Sequence, residues 1–214
     1  MAVTAVCFCA YLTDISLPWR RGDHNANKFI KAFKGEPIKG FANILVGSTW
    51  HRLEESNRDS AIDWFGEMAS AYIKREHKAR PLVFAPLPSS KCVANGGIVS
   101  PTYRLADAIA SRLQGAVVWD GLRWSKTMTP SHKGGVRDTA YFYKHLVITK
   151  TLPNADIVIV DDVLTSGAHM RAVVAKLAEK NGKCSLALCA GRTVSDQVAK
   201  PFDLIEEKLE DFTP

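Results

Sequence analysis

The chain predicts an α/β protein, a mostly parallel sheet flanked by helices with an N-terminal hood or subdomain, and three stretches carry that expectation. The first is Asp156 to Gly182, DIVIVDDVLTSGAHMRAVVAKLAEKNG. Its four apolar residues Ile157 to Val160 form a run short and apolar enough for a strand buried on both faces of a parallel sheet. In the helix that follows, Met170, Val173, Val174 and Leu177 fall at i, i+3, i+4 and i+7, one stripe facing the sheet, and Gly182 closes it. The second is a core strand at Leu82 to Ala85, then a helix opening at Pro101 and running through Leu113, then a strand at Ala116 to Trp119. The third is a final core strand, Ser185 to Ala190. From Leu82 the order β-α-β-loop-β-β-α-β places a ligand at the carboxyl ends of the strands.

About eighty residues precede that unit. Val3 to Leu12 reads as a strand and Leu17 to Asn27 as a polar, turn-rich connection. Phe29, Ile30 and Phe33 give a short amphipathic helix ending near Gly35, with Lys28, Lys31 and Lys34 on a solvated face. Ile38 to Leu53 fits a helix through Phe41, Ile44, Leu45 and Leu53, yet Gly47-Ser48-Thr49 interrupts it. Asp59 to Lys78 is a helix capped by Asp59, with Ile62, Phe65, Tyr72 and Ile73 inward. The expected division is residues 1–80 as hood and residues 81–214 as core. Tyr141 to Ile148 alternates like a strand, and Phe202 to Phe212 reads as a short terminal helix.

The chemistry open to Asp156–Gly182 is narrow. Backbone N–H groups at the start of its helix, with the positive end of the dipole, favour a phosphate. Thr165 and Ser166 add hydroxyl donors, while Gly167 and Ala168 let an anion approach the backbone. Asp161 and Asp162 repel a phosphate, so they face something else, sugar hydroxyls or a Mg²⁺ bound to them. A phosphate at one end and a diol at the other describe a ribose 5-phosphate. The strand and acidic pair also resemble a Walker B element, but nothing in the chain matches GxxxxGK[ST]. A buried strand ending in solvated acids accounts for the carboxylates and leaves the Thr-Ser-Gly-Ala loop unexplained.

Ile157 to His169 resembles the phosphoribosyl-pyrophosphate (PRPP) motif of the type I phosphoribosyltransferases: four apolar residues, two acids, then a loop of small and hydroxylated residues. The resemblance implies that Asp161 and Asp162 hold the ribose hydroxyls and that Thr165, Ser166, Gly167, Ala168 and His169 cradle the 5-phosphate. His169 stands where that family has Thr or Ser, which leaves the backbone N–H there as the contact. The resemblance also implies that Ser89, Ser90 and Lys91, after the first core strand, form a pyrophosphate loop; a Pro-bounded surface turn is the other reading of the same residues. The long segment Asp120 to Asp138 holds the position of the family's catalytic loop, with Lys126, His132, Lys133 and Arg137 toward pyrophosphate and Gly134-Gly135 as hinge. An ordinary solvated loop is its alternative.

Within the family the ordering is similar to the ComF-like competence-associated proteins, through the Pro-rich turn after the first core strand and the Arg137 to Phe142 approach. The function implied is transfer of phosphoribose from PRPP, with Mg²⁺ as cofactor, to a nitrogenous base chosen by residues 1–80. Lys126, Lys133 and Arg137 would stabilise the leaving pyrophosphate. The alternative is a non-catalytic PRPP- or nucleotide-binding regulator, or an accessory protein of DNA processing. Family members are commonly homodimers.

Composition narrows the class. The chain has 214 residues, 46% of them hydrophobic, enough for a substantial core. No apolar run approaches the ~20 residues of a membrane span, and MAVTAVCFCAYL lacks the basic start of a secretory signal. The five cysteines form no metal or disulfide spacing and are expected as buried thiols of a cytoplasmic protein. A net charge of +6 suits nucleic acid or a highly anionic small molecule, and the dispersed positive residues favour the second.

Overall fold

The computed structural model describes residues 3–77, 82–129 and 138–214. In chain order the elements are β1 (Val3–Cys7), β2 (Ala10–Leu12), α1 (Arg21–Lys34), β3 (Ala42–Val46), β4 (Thr49–Leu53), a 3-10 turn (Glu55–Asn57) and α2 (Ser60–Glu76). There follow β5 (Leu82–Pro86), α3 (Thr102–Ala110), β6 (Val117–Val118), β7 (Leu122–Trp124), α4 (Thr139–His145), β8 (Leu146–Ile148), β9 (Asp156–Leu164), α5 (Ala168–Glu179), β10 (Lys183–Val194) and β11 (Ile205–Leu209).

The main sheet runs β11-β1-β10-β9-β5-β6, and β2 pairs with the far end of β10. All its pairings are parallel except β1 with β11. The apolar runs of β5 and β9 supply its middle because a strand buried on both faces has no polar side to offer. Val158 and Val160 pack into a layer with α1, α2, α3 and the β3–β4 hairpin. Ile157 and Ile159 pack into the opposite layer with α4, α5 and the β7–β8 hairpin. The expected α/β class with a mostly parallel sheet is borne out.

The chain leaves β5, crosses through α3 to the edge strand β6, and returns to β9 on the other side of β5. Strand order therefore reverses between β5 and β9, and the loops leaving their carboxyl ends diverge around a crevice. The candidate site lies there.

Several local expectations differ from the structure. Of the expected strand Tyr141 to Ile148, only Leu146 to Ile148 is strand, β8; Tyr141 to His145 belongs to α4, which Asp138 caps by accepting from the Ala140 N–H at 3.1 Å. Phe202 to Phe212 contains a strand instead of a helix, β11, laid antiparallel along β1. Val3 to Leu12 breaks into β1 and β2 around Phe8 and Cys9. Helix α1 begins at Arg21, inside the segment read as a connection, because Asp23 reaches back to the Arg20 N–H at 2.9 Å. Ile38 to Leu53 resolves as the β3–β4 hairpin, since the pair Val46–Thr49 leaves a two-residue turn and Gly47 takes a φ of 59°. The segment 120–138 contains β7, paired with β8.

Residues 1–80, read as a hood, contribute β1 and β2 to the main sheet, while α1, α2 and the β3–β4 hairpin cover one of its faces. The five cysteines are buried and free. Among the described residues no helix is long and apolar enough to cross a membrane.

Candidate functional site

A cleft of about 420 Å³ opens at the carboxyl ends of β5, β9 and β10. It is in the range of small-ligand clefts. One wall is the loop after β5, the floor is the acidic pair of β9, and the far wall comes from β2 and the end of α1.

The loop after β5 is held from beneath by buried hydroxyls. The Leu87 N–H donates to the Val160 carbonyl at 2.9 Å, which aligns the loop with β9. Ser100 Oγ donates to the Leu87 carbonyl at 2.9 Å and accepts from the Ser89 N–H at 3.0 Å. Thr102 Oγ1 donates to the same carbonyl at 2.6 Å. Trp124 Nε1 donates to the Pro88 carbonyl at 3.1 Å. Ser89 and Ser90 consequently line the cleft. Lys91, exposed on the outside of the turn, is not among the lining residues.

Strand β9 extends through the acidic pair to Leu164, so Asp161 and Asp162 are strand residues rather than the first residues of a loop. Each is fixed by the backbone that follows it: Asp161 Oδ1 accepts from the Asp162 N–H at 2.9 Å, and Asp162 Oδ1 from the Val163 N–H at 2.8 Å. Both line the cleft. Burial, and then the charge of Asp162, push the Asp161 carboxyl well above the usual carboxylate range. Asp161 pairs in register with the buried Cys189 of β10.

The loop 165–167 joins this strand to α5. Gly167 caps the helix in the left-handed region, φ 73°, where a side chain is strained, and a Cβ there would meet Leu209 at 3.1 Å. Thr165 lines both the cleft and a recess of about 20 Å³ beside it, as does His169. Ser166, Gly167 and Ala168 line the recess. The loop is tied to the next strand by Arg192, whose Nη1 donates to the Thr165 carbonyl at 2.6 Å while its Nε pairs with Glu207 at 2.6 Å. Thr193 Oγ1 donates to the Leu164 carbonyl at 3.3 Å.

His169, in the first turn of α5, is packed between aromatic rings. Its ring centroid lies 3.7 Å from that of Phe142 and 5.6 Å from that of Trp124. Burial lowers its pKa to about 4, so the imidazole is neutral near pH 7.

The structure thus brings Asp161, Asp162, Thr165, His169, Ser89 and Ser90 to one cleft, with Ser166, Gly167 and Ala168 in the adjoining recess. It does not bring Lys126 there: the ammonium lies 5.3 Å over the Tyr141 ring, outside the lining. His132, Lys133, Gly134, Gly135 and Arg137 fall outside the described residues.

Sequence reasoning missed the far wall. Tyr11, Thr13, Lys34 and Thr193 line it; Lys34 is exposed, as expected of a solvated helix face, and that face borders the cleft. It also missed Arg192, whose signal was an arginine directly after Gly191 at the end of the last core strand.

No protein-family model matches the chain, and no curated protein does. Among solved structures, the chain is similar to a hypoxanthine phosphoribosyltransferase from Staphylococcus aureus, with 13% identity over 66% of this chain and 79% of that one, TM-score 0.41. It is similar to adenine phosphoribosyltransferase from Thermoanaerobacter pseudethanolicus, with 13% identity over 76% of this chain and 99% of that one, TM-score 0.41. Orotate phosphoribosyltransferase from Mycobacterium tuberculosis matches at 11% identity over 80% of this chain and 95% of that one, TM-score 0.37.

Proposed function

We propose that the chain is a Mg²⁺-dependent phosphoribosyltransferase that takes PRPP and displaces its pyrophosphate with a nitrogenous base. The observation behind this reading is that the acidic pair, Thr165, His169 and the Ser89-Ser90 turn meet in one cleft where the strand order reverses, with Ser166 to Ala168 in the recess beside it. In this reading the loop 165–169 holds the 5-phosphate through backbone N–H groups and the hydroxyls of Thr165 and Ser166. Asp161 and Asp162 accept from the ribose hydroxyls. Ser89 and Ser90, with Lys91 at the outer edge, receive the pyrophosphate, and Lys126, Lys133 and Arg137 are the cations assigned to its departing charge. The elements of residues 1–80 that cover the cleft act as the hood.

The donor set suits Mg²⁺ carried by its substrate. Two adjacent carboxylates are hard oxygen ligands, and no cluster of three His, Cys, Asp or Glu lies within reach of one another among the described residues. Asp161 and Asp162 would hold the cation only together with substrate oxygens, where it would neutralise charge on the departing pyrophosphate. The bond from C1 of the ribose to pyrophosphate breaks and a bond from the base nitrogen to C1 forms, through an oxocarbenium-like state. The protein supplies position and electrostatic stabilisation of the separating charges.

Incubating the protein with PRPP, Mg²⁺ and a panel of nucleobases while following pyrophosphate release tests this. Base-dependent release supports transfer; PRPP binding without release for any base overturns it. A second reading, a PRPP- or nucleotide-binding regulator or a DNA-processing accessory protein, is favoured by one fact: neither Lys91 nor Lys126 lines the cleft. Salt-dependent DNA binding with no turnover would support that reading.

A further inference from the structure

We propose that Tyr11 and Lys34 form the acceptor subsite, and that it selects a planar nitrogen heterocycle bearing ring-oxo or carboxylate oxygens. The inference rests on the phosphoribosyltransferase reading and names its acceptor class. In that reading the two ends of PRPP are assigned: the 5-phosphate at the start of α5 and the pyrophosphate at the loop after β5. The remaining wall of the cleft is the one built by β2 and the end of α1. It packs with the opposite face of the sheet from α5, so a base held there would face the ribose from the side away from the 5-phosphate.

The chemistry of that wall is one-sided. Lys34 is the last residue of α1, and its ammonium lies 5.0 Å over the Tyr11 ring. It joins no ion pair and donates no side-chain hydrogen bond among the described residues, so its charge is available to a ligand. The neighbouring hydroxyls are engaged inward: Thr13 Oγ1 donates to the Val194 carbonyl at 3.3 Å and Thr193 Oγ1 to the Leu164 carbonyl at 3.3 Å. Lone pairs on these threonines can still accept from an amine, but a neutral oxygen is a weaker partner than an ammonium. Asp161 and Asp162, the carboxylates of the cleft, are occupied by the ribose in this reading. An acceptor with an electron-rich oxygen therefore gains a charge-assisted bond to Lys34, and one with only an exocyclic amine meets a cation. The Tyr11 ring holds that ammonium at the cleft wall through the cation–π contact.

Product nucleotides test the subsite without turnover. Ribose 5-phosphate, adenosine 5′-monophosphate, inosine 5′-monophosphate and orotidine 5′-monophosphate share the phosphoribosyl end and differ in the base. By titration calorimetry the wild-type protein should bind inosine or orotidine monophosphate at least tenfold more tightly than adenosine monophosphate, about 1.4 kcal/mol. Lys34→Gln should reduce that ratio to below threefold and leave ribose 5-phosphate affinity within threefold of wild type. Tyr11→Leu, which removes the ring that holds the ammonium, should lower the same ratio while ribose 5-phosphate affinity stays within threefold of wild type. Lys34 is exposed, so Lys34→Gln keeps the fold, which an unchanged Tm verifies. Equal or tighter binding of adenosine monophosphate, or a preference that survives Lys34→Gln, overturns the subsite while ribose 5-phosphate binding leaves the parent reading standing. Failure of the wild-type protein to bind ribose 5-phosphate removes the parent reading and this inference together.

Discussion

The imidazole of His169 meets the ring of Phe142 at 3.7 Å between centroids and 64° between planes, with the Trp124 indole 5.6 Å away on another side. Trp124 in turn donates to the Pro88 carbonyl. One aromatic cluster therefore touches the first turn of α5, the loop after β5 and the helix that follows residues 130–137. The residue at the position where the resembled family has a hydroxyl is here a packing element between these loops.

A neutral buried histidine makes stability depend on pH. With its folded pKa lowered to about 4, His169 stays unprotonated while the unfolded chain takes up a proton below the ordinary value of about 6.5. The unfolded state then binds more protons, so this contribution is fully present above pH 6.5 and is lost as pH falls toward 4, at most about 3 kcal/mol. Urea unfolding at pH 7 and pH 4.5 should show a drop for wild type that is smaller by about 2 kcal/mol in His169→Gln. An identical pH response in the two proteins would exclude this account of the imidazole.

Asp161 has the opposite consequence. Its raised carboxyl pKa means that the folded state disfavours the charged form. Below the ordinary Asp value of about 3.9 both states are protonated and nothing is lost; as pH rises through and above it, the folded state loses stability relative to the unfolded chain. Asp161→Asn should therefore raise the Tm of the ligand-free protein at pH 7, by about 1 kcal/mol in stability, with the gain vanishing near pH 3. The same substitution, above all together with Asp162→Asn, should weaken PRPP binding at least tenfold, about 1.4 kcal/mol. A gain in stability at unchanged PRPP affinity would remove the acidic pair from the site.

Arg192 acts on the loop 165–167 through the backbone. Its guanidinium joins Glu207 of β11 to the Thr165 carbonyl, so removing it frees the loop without deleting a group assigned to substrate. Arg192→Ala should weaken binding of ribose 5-phosphate about tenfold. Arg192→Lys should restore only part of it, because an ammonium cannot reach both partners with the fork of a guanidinium. Equal affinities in wild type and Arg192→Ala would show that the loop is held by Gly167 and β9 alone.

The sheet centre and the acidic pair were legible in the sequence because buried parallel strands read as short β-branched runs, and Ile157 to Val160 is one. The helix after it was legible for the same reason of periodicity. Elements set by tertiary pairing were not. Alternation in Tyr141 to Ile148 predicts one strand, yet only Leu146 to Ile148 pairs, with β7, while Tyr141 to His145 lies in α4, which packs on α5. β11 is charged at Glu206, Glu207 and Lys208 and exists as a strand because β1 offers it an edge. The far wall of the cleft was hidden because Tyr11 and Lys34 stand 23 residues apart and meet only after α1 folds against β2. A lysine on a helix surface carries no local sign of what it faces.

Ser100 gives the sharpest test of how the loop after β5 is shaped. It is buried, and its hydroxyl both donates to the Leu87 carbonyl and accepts from the Ser89 N–H. Ser100→Ala leaves the Ser89 N–H without this partner and removes one of the donors to Leu87, a loss of about 1–3 kcal/mol of stability. Thr102 still donates to Leu87, so the strand end keeps its position while the Ser89-Ser90 turn loosens. Pyrophosphate affinity should fall several-fold more than ribose 5-phosphate affinity, because only the pyrophosphate is assigned to that turn. Parallel loss of both ligands would mean that the two loops move as one body, joined through Trp124, and that the turn has no ligand of its own.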